Sequence, residues 1–337
     1  MNLPRIGAAA SAVPVPRGTL SEAVATALRG DRGRVVAFPE PEGDDPYGID
    51  LQLALHTCYE LHYRGFDGVD PEWEWQTDLL RFRSHLEQQF LDAMRSDVAG
   101  GRALHRELDA LLVEPADGSG ISRHLLEDGE WWHMREYFVH RSIYHHKEAD
   151  PHAWVIPRLN GPAKAALVAV EYDEYGGGHA DRMHSQLYVD LLEGAGLNSS
   201  YLHYVDAVPA AMLAVVNMMS LFGLHRALRG ALVGHFAATE ITTSPSARRI
   251  ADALERLQAH PDCVRFFTEH VEADAVHEQV LRREVIGDLL SREPTLTASV
   301  VFGIQATGLL EERFTEEVLG AWRAGRSSLS EAAIQSF

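Results

Sequence analysis

The chain has 337 residues, and its 49 acidic side chains outnumber its 30 lysines and arginines to give a formal net charge of −19. Such an excess of negative charge argues against a surface that binds phosphates, so no nucleic-acid partner is expected. Its two cysteines, Cys58 and Cys263, exclude a disulfide framework and favour a reducing, cytoplasmic location.

The N-terminal segment "MNLPRIGAAASAVPVPRG" lacks the continuous apolar run of a signal peptide and is predicted to be a flexible lead-in. The following "TLSEAVATALRG" predicts a short helix with Thr19 or Ser21 near its N-cap. A stretch rich in Pro, Gly and Asp, "VVAFPEPEGDDPYG", then predicts a loop. Residues 1–45 are therefore expected to form a lead-in that contains one short helix.

Helical periodicity dominates the rest of the chain, and no run of alternating β-branched residues indicates a strand. The segments "IDLQLALHTCYELHYRGF" and "TDLLRFRSHLEQQFLDAMRSDVAGG" predict two amphipathic helices within an N-terminal helical region, residues 46–110. Later helices are predicted near residues 130–148, 161–193, 199–224, 225–243, 246–259, 263–290 and 309–322. The predicted fold class is all-α.

One apolar segment, "AVPAAMLAVVNMMSLFGL" at residues 207–224, is long enough to raise the question of a membrane span. Pro209, Asn217 and Ser220 interrupt it, and no second segment of this kind accompanies it. A buried core helix is the favoured interpretation, and no membrane partner is expected.

The motif "FFTEHVEADAVHE" places unusual polar groups on the apolar face of a predicted helix. At ~100° per residue, His270, Asp274 and His277 share a stripe roughly 60° wide that also carries apolar side chains. An ionised Asp turned inward needs a partner, and two imidazoles with a carboxylate make a good metal half-site. An internally hydrogen-bonded His–Asp–His cluster is the alternative.

A second polar group lies in "EYDEYGGGHADRMHSQLY". On a continuous helix, Glu174, Asp181 and His184 would lie within roughly 80° of one another on an apolar face. The glycines at 176–178 would cost such a helix roughly 2–3 kcal/mol relative to alanine. They indicate a local break, a close approach of a ligand or backbone, or a plain loop between two helices.

Two further glutamates complete a pattern typical of carboxylate-bridged di-iron bundles, in which single Glu residues alternate with Glu-x-x-His pairs. The chain offers Glu148, "DRMH" at residues 181–184, Glu240 and "DAVH" at residues 274–277, with Asp in place of Glu in both pairs. Glu240 is predicted to end a small helix just before Pro245. In this ferritin-like scheme Glu174 and His270 remain unused.

The combined motifs resemble the haem-oxygenase-like di-iron oxidases, also called iron-containing redox enzymes. In that family one helix carries a Glu and a His ten residues later, a second carries a Glu, and a third carries His-x-x-x-Asp-x-x-His. The resemblance spans residues 46–292, and "HVEADAVH" is its most specific part. The ligands that it implies are Glu174, His184, Glu240, His270, Asp274 and His277, with Glu148 and Asp181 ranked below them as extra ligands or partners of an imidazole.

The resemblance also implies a haem-oxygenase-like helical bundle over residues 120–325, with the N-terminal helical region as an addition that contributes to a homodimer. It implies two iron ions, O2 as co-substrate, an external electron donor and a small-molecule substrate. Two rivals stay open: a metal-free enzyme on the same fold that uses these histidines for acid–base chemistry, and a ferritin-like protein that handles iron.

Members that resemble this chain oxidise small amines, amino acids or fatty acids, by N-oxygenation, desaturation or C–C cleavage. The segment "EADPHAWVIPRLNGPAK" offers Arg158 and Lys164 as groups that could bind a substrate carboxylate. The expected reaction is therefore N-oxygenation of an amino-acid-like amine, with C–C or C–H oxidation as the second choice. Charged residues exposed to solvent in a loop are the alternative explanation of Arg158 and Lys164.

We predict that replacing His270, Asp274 or His277 by alanine abolishes tight binding of at least one iron ion, because the three share an inward stripe. Helical content should remain largely intact. Elemental analysis and circular dichroism measure the two effects. Normal iron binding by all three variants would place the site elsewhere.

Overall fold

Helices account for nearly all regular structure in the computed structural model. It describes residues 11–32, 37–40, 43–113 and 120–330, without the side chains of residues 272, 274 and 275. Residues 1–10 of the predicted lead-in, and parts of the predicted loop that precedes residue 48, lie outside these ranges. Within them the chain forms no β-strand, only an isolated bridge between Ser11 and Phe66. The all-α prediction is confirmed.

The N-terminal half begins with the predicted short helix and continues through helices joined by brief turns. These helices are α1 (Thr19–Arg29), α2 (Ile49–Glu60), α3 (Thr77–Asp97), α4 (Leu104–Leu111), α5 (Ile121–Glu127), α6 (Trp131–His145) and α7 (Asp150–Ala153). A 3-10 helix, Pro71–Trp75, precedes α3 and begins at Asp70, whose side chain accepts a hydrogen bond from the backbone N–H of Glu72.

The C-terminal half contains the longest helices. They are α8 (Gly161–Glu174), α9 (His184–Gly194), α10 (Ala210–Leu224), α11 (Arg229–Arg256), α12 (Pro261–Gln279), α13 (Gly287–Arg292) and α14 (Thr297–Arg323). Short 3-10 turns lie at Ile156–Arg158, Gly176–Gly178, Ala180–Arg182, Arg226–Leu228 and Pro294–Leu296. A π-helical segment, Val280–Ile286, joins α12 to α13.

Helix α11 occupies the centre of the bundle and packs against α12, α14 and α5. Helix α12 also packs against α9, and α8 packs against the π-helical segment. The N-terminal helices join the same hydrophobic core, because α2 packs on α10 while α3 and α4 pack on α14. The metal-site motifs therefore come from helices that already contact one another.

The apolar segment at residues 207–224 forms the buried helix α10, as the sequence predicted. Within the described ranges, no single helix has the length and apolar character that a bilayer span requires. The bent pair Ala210–Leu224 and Arg226–Arg256 meets that requirement by length and composition only.

The prediction that a helix ends before Pro245 was wrong, because α11 runs through this residue without a break. A proline inside a helix removes one backbone hydrogen bond and costs about 3 kcal/mol. Contacts with α12, α14 and α5 hold the helix on several sides. Hydroxyl groups before and after the proline add bonds to the helix carbonyls, with Thr243 donating to Thr239 and Ser246 to Thr242. Tertiary packing outweighs the local propensity here.

The helix predicted near residues 161–193 is divided at the glycines, which is the loop alternative given for this segment, since α8 ends at Glu174 and α9 begins at His184. Gly176, Gly177 and Gly178 have φ values of 69°, 61° and 83°, which glycine adopts without the steric penalty of a Cβ. At Gly176 a Cβ would come within 2.6 Å of the backbone of Arg182 and Met183. The glycines therefore form a tight turn between two helices.

Other helices begin or end at residues that differ from the predicted ones. The helix predicted from residue 199 begins only at Ala210, immediately after Pro209. The chain is helical throughout the region predicted at 263–290, but it changes to π geometry directly after α12. Short π-helical segments are often found at functional sites. The helix predicted at 309–322 is the second half of the longer α14.

Two glycines allow α11 and α14 to approach closely: a Cβ on Gly234 would overlap the Val300 carbonyl, and one on Gly303 the Ala231 carbonyl. We predict that Gly303→Ala lowers the free energy of unfolding by about 1–3 kcal/mol, because neither backbone can yield without moving a helix. Gly308→Ala on the same helix has open space and should instead stabilise by about 0.5–1 kcal/mol. Urea unfolding of both variants measures this contrast; equal effects would contradict it.

Candidate metal centre

Six of the polar side chains singled out in the sequence converge in the interior of the bundle. Each is at most 6% exposed. They form two clusters, which we name the first cluster (Glu148, His184 and His270) and the second cluster (Glu174, Glu240 and His277). Within each cluster one potential ligand atom per residue lies within 4.8 Å of the others, a spacing at which a single metal ion can contact all three.

Each cluster draws on three different parts of the fold. The first cluster combines the turn after α6, the start of α9 and the middle of α12. The second combines the last residue of α8, the middle of α11 and the C-terminal part of α12. Helix α12 serves both clusters because His270 and His277 are two turns apart on one face.

The ring of His270 is oriented by its own helix. Its Nδ1 lies 2.7 Å from the backbone carbonyl oxygen of Phe266, which can only accept a hydrogen bond. Nδ1 therefore donates, and the lone pair of the neutral imidazole is on Nε2. That atom lies 3.8 Å from Oε2 of Glu148, and the centroids of the His270 and His184 rings are 4.4 Å apart. Nε2 of His270 is thus the available metal ligand of this ring.

The ring of His277 lies between carboxylates on both sides. Its Nδ1 is 3.0 Å from Oε2 of Glu240 and 3.4 Å from Oε1 of Glu174. Its Nε2 is 3.3 Å from Oδ2 of Asp173, an exposed residue outside the cluster. A carboxylate that accepts from the far nitrogen of a ligand histidine is a common outer partner in metal sites, since it orients the ring and makes the near nitrogen more basic.

Glu174 connects the two clusters through its two carboxylate oxygens. Oε2 lies 2.8 Å from Nδ1 of His184 in the first cluster, and Oε1 lies 3.4 Å from Nδ1 of His277 in the second. This arrangement suits a carboxylate that bridges two metal ions. The donors are imidazoles and carboxylates without a thiolate, a set that suits iron or manganese better than structural zinc.

The turn that carries Glu148 is fixed by buried charges on both sides. The neighbouring Lys147 donates to Oε2 of Glu60 on α2 over 2.5 Å, and Tyr201 donates to Oε1 of the same carboxylate. Oε2 of Glu148 lies 2.7 Å from Nδ1 of His145. The N-terminal helix α2 therefore helps to place a residue of the first cluster.

Burial and the histidines act in opposite directions on the carboxylates. Burial raises the pKa of Glu148, but His145 and then His270 favour its ionised form and hold the pKa well below its usual range. Burial lowers the pKa of His145. On α8, burial and then the charge of Glu174 raise the pKa of Glu171 to about 9. The charge of Glu174 thus disfavours a further negative charge on Glu171, and a nearby cation would relieve this repulsion.

A cavity of about 310 Å³ opens onto these clusters. Metal-cluster residues on its wall are Glu148, Glu174, Glu240 and His270. The remaining wall includes Tyr144 and His145, the aromatic rings of Phe266 and Phe267, and a group of serine and threonine hydroxyls. A small molecule in this cavity would lie next to both clusters.

The structure places the other predicted residues as follows. The side chain of Asp274 lies outside the described part of the chain. Asp181 is exposed on the 3-10 turn and joins neither cluster. Arg158 donates to the carbonyls of Gly223 and Leu224, where it covers the end of α10. Neither it nor Lys164 is among the described residues that line the cavity.

Several residues of the site were not found from the sequence. Asp173 precedes Glu174 but projects away from it on a helix, and only the position of α12 brings it to His277. His145 lies three residues before Glu148, a spacing that could have indicated the pair. Arg141 and Glu311 face each other across the cavity wall from helices 170 positions apart in the chain.

The fold, the clusters and their donor types define a helical metalloprotein, and comparison with known proteins identifies its class. The model of the iron-containing redox enzyme family matches residues 135–312, more than half of the chain, so the chain belongs to this family. The protein is therefore an oxidoreductase of an iron-containing family.

A named relative is the nitrosourea synthase of Streptomyces achromogenes subsp. streptozoticus, which is 28% identical over 187 residues. The matched region is 54% of this chain but only 39% of that protein. All described cluster residues lie within the region that the family model matches.

We predict that Asp173→Asn weakens Fe(II) binding roughly 10- to 100-fold, because the amide no longer accepts as strongly from Nε2 of His277. Anaerobic competition with a chelator of known affinity measures the change. Asp190→Asn is the matched control, since Asp190 accepts from Gln186 on α9 and joins neither cluster. An unchanged Fe(II) affinity in Asp173→Asn would contradict the outer-partner role.

Proposed function

We propose that the protein is a non-haem di-iron enzyme that uses O2 to oxidise a small amine or amino-acid-like substrate, with N-oxygenation as the reaction. The observation that carries the proposal is the position of Glu174, whose two oxygens face separate His-containing clusters. A single metal site needs no such carboxylate. The proposed ligands are Glu148, Glu174, His184, Glu240, His270, Asp274 and His277.

Charge balance supports a metal-dependent enzyme over a metal-free one. Three carboxylates, Glu148, Glu174 and Glu240, lie buried around one cavity, and burying ionised carboxylates is costly unless cations compensate them. Two divalent ions would supply that compensation. A metal-free acid–base enzyme would need one or two such groups, and a third buried carboxylate would only add repulsion.

When bound, the two irons would supply the electrons and the open positions for reaction with O2. The protein contributes the rest. Glu174 would offer an oxygen to each cluster, His270 would present Nε2 because its Nδ1 donates to the carbonyl of Phe266, and Asp173 would orient His277. The cavity would hold the substrate beside the clusters.

In the proposed reaction one N–H bond of the substrate becomes N–O–H. One oxygen atom of O2 enters the product, the other leaves as water, and an external donor supplies two electrons with two protons. The name of the relative supports this class, since a nitrosourea contains a nitrogen in an oxidised state. Desaturation or C–C cleavage of an amino or fatty acid is the second candidate, which the same metal centre could support.

The test begins with anaerobic Fe(II) loading and elemental analysis. We expect about two irons per chain, the number that the two clusters imply. Glu174→Ala should retain at most one, because it removes the carboxylate that contacts both clusters. Glu193→Ala on α9, whose carboxylate accepts from Ser199, is the control and should retain both. No iron with activity retained would support the metal-free rival, and iron far beyond two would indicate storage.

The second step exposes the loaded protein to O2 with amino acids, amines and C10–C14 fatty acids in turn. An amine or amino acid should accelerate O2 uptake and yield a product that carries one added oxygen on nitrogen. Acceleration by fatty acids alone, or a desaturated product, would overturn the N-oxygenation assignment but retain the di-iron centre.

A further inference from the structure

The cavity contains a charged pair that neither cluster uses. Arg141 on α6 donates from Nη1 and Nη2 to Oε1 and Oε2 of Glu311 on α14, over 2.8 and 2.7 Å. Both side chains line the cavity, and Arg141 is the one arginine or lysine among the described residues of its wall. Among the described side chains of the wall, this guanidinium is therefore the permanently charged partner for a substrate carboxylate.

The ion pair uses two of the five N–H groups of the Arg141 guanidinium. Nε of Arg141 is buried and has no hydrogen-bond partner, whereas both terminal nitrogens bind Glu311. The guanidinium is held by the rings of Phe314 and Tyr137, whose centroids lie 4.8 and 5.5 Å from its central carbon. A buried donor without a partner is unfavourable, and a charged acceptor from a ligand would satisfy it strongly.

Four hydroxyl groups of the wall are placed to act as acceptors. Thr239, Thr242, Thr243 and Ser246 of α11 each donate their hydroxyl hydrogen to a carbonyl of their own helix. Their remaining lone pairs can only accept. Glu311 adds a carboxylate with spare acceptor capacity, since burial raises its pKa but Arg141 outweighs this and keeps the group ionised. The wall therefore offers one cationic group, Arg141, that can bind the carboxylate of a ligand, and several acceptors that can bind its N–H groups.

We propose that Arg141 and Glu311 form the recognition site for a zwitterionic α-amino acid. The carboxylate of the substrate binds the guanidinium of Arg141, which lines the cavity, its ammonium group binds Glu311 and the hydroxyls, and its side chain extends towards the two clusters. This assignment rests on the proposed function and narrows its substrate class. A simple amine would leave the Arg141 guanidinium without an acceptor from the ligand, and a fatty acid would leave the acceptors unsatisfied. The role expected for Arg158 and Lys164 passes to Arg141.

The experiment measures binding by calorimetry under anaerobic conditions, with metal-free and Fe(II)-loaded protein in parallel. The ligands are the twenty common L-amino acids and, for each one that binds, the amine that lacks its carboxylate. We expect at least one amino acid to bind roughly tenfold or more tightly than its amine. Arg141→Gln should weaken amino-acid binding roughly 10- to 100-fold and change amine binding by less than about threefold. Glu311→Gln should weaken both.

Two further variants distinguish loss of ligand recognition from loss of the fold. Arg141→Lys keeps a positive charge beside Glu311 but lacks the Nε donor, so it should fold and still lose the preference for the carboxylate. Arg313→Gln is the matched control, because Arg313 lies on the same helix as Glu311, pairs with Asp97 and Tyr47, and does not line the cavity. It should bind as the unaltered protein does.

Three results would overturn the proposal: no amino acid binds, amino acid and amine bind equally, or Arg141→Gln weakens both equally. Iron content and O2 uptake of the same samples separate this failure from that of the proposed function. Carboxylate-dependent binding without iron or O2 uptake would refute the di-iron enzyme but support the recognition site of Arg141 and Glu311. Two irons with O2 uptake but no preference for the carboxylate would support the di-iron enzyme and refute the recognition site.

Discussion

The Glu174 carboxylate, held between His184 and His277, is the constraint on which the rest of the centre depends. A buried carboxylate is stable only if both of its oxygens find partners, and here each oxygen faces a different imidazole. Those imidazoles come from α9 and α12, two helices that pack against each other. The bundle must therefore bring α9 and α12 to the same end of α8, and most other features of the core follow from this requirement.

Glycine supplies the close approaches that this geometry needs. The turn at Gly176–Gly178 reverses the chain quickly enough for the first residue of α9 to meet the last residue of α8. Gly234 and Gly303 let α14 lie directly against α11, the helix that presents Glu240. Backbone contact at these points leaves little room for α11 to shift against α14, which keeps Glu240 in its position on the cavity wall.

The cavity wall contains two chemically different groups of residues. One side presents carboxylates and imidazoles for metal ions, and the other presents Arg141, Glu311 and hydroxyl acceptors for a polar ligand. In the proposed function, iron would supply the redox chemistry, so the second side would need no nucleophilic or acid–base group. Different helices of one bundle would then determine substrate specificity and reactivity towards O2.

The sequence by itself determined the fold class and most of the proposed ligands, since polar residues on an apolar helix stripe must be satisfied in the interior. His270 and His277 were found this way, and their spacing on α12 needed no tertiary information. Glu174 and His184 were found from a helix that does not exist: the chain breaks at the glycines, and the turn brings the two together instead. Only tertiary structure decided that α11 continues through Pro245, that Glu148 joins the first cluster, and that Asp173, Arg141 and Glu311 face the site. Each of these depends on contacts between residues far apart in the chain, and the periodicity of one segment does not predict such contacts.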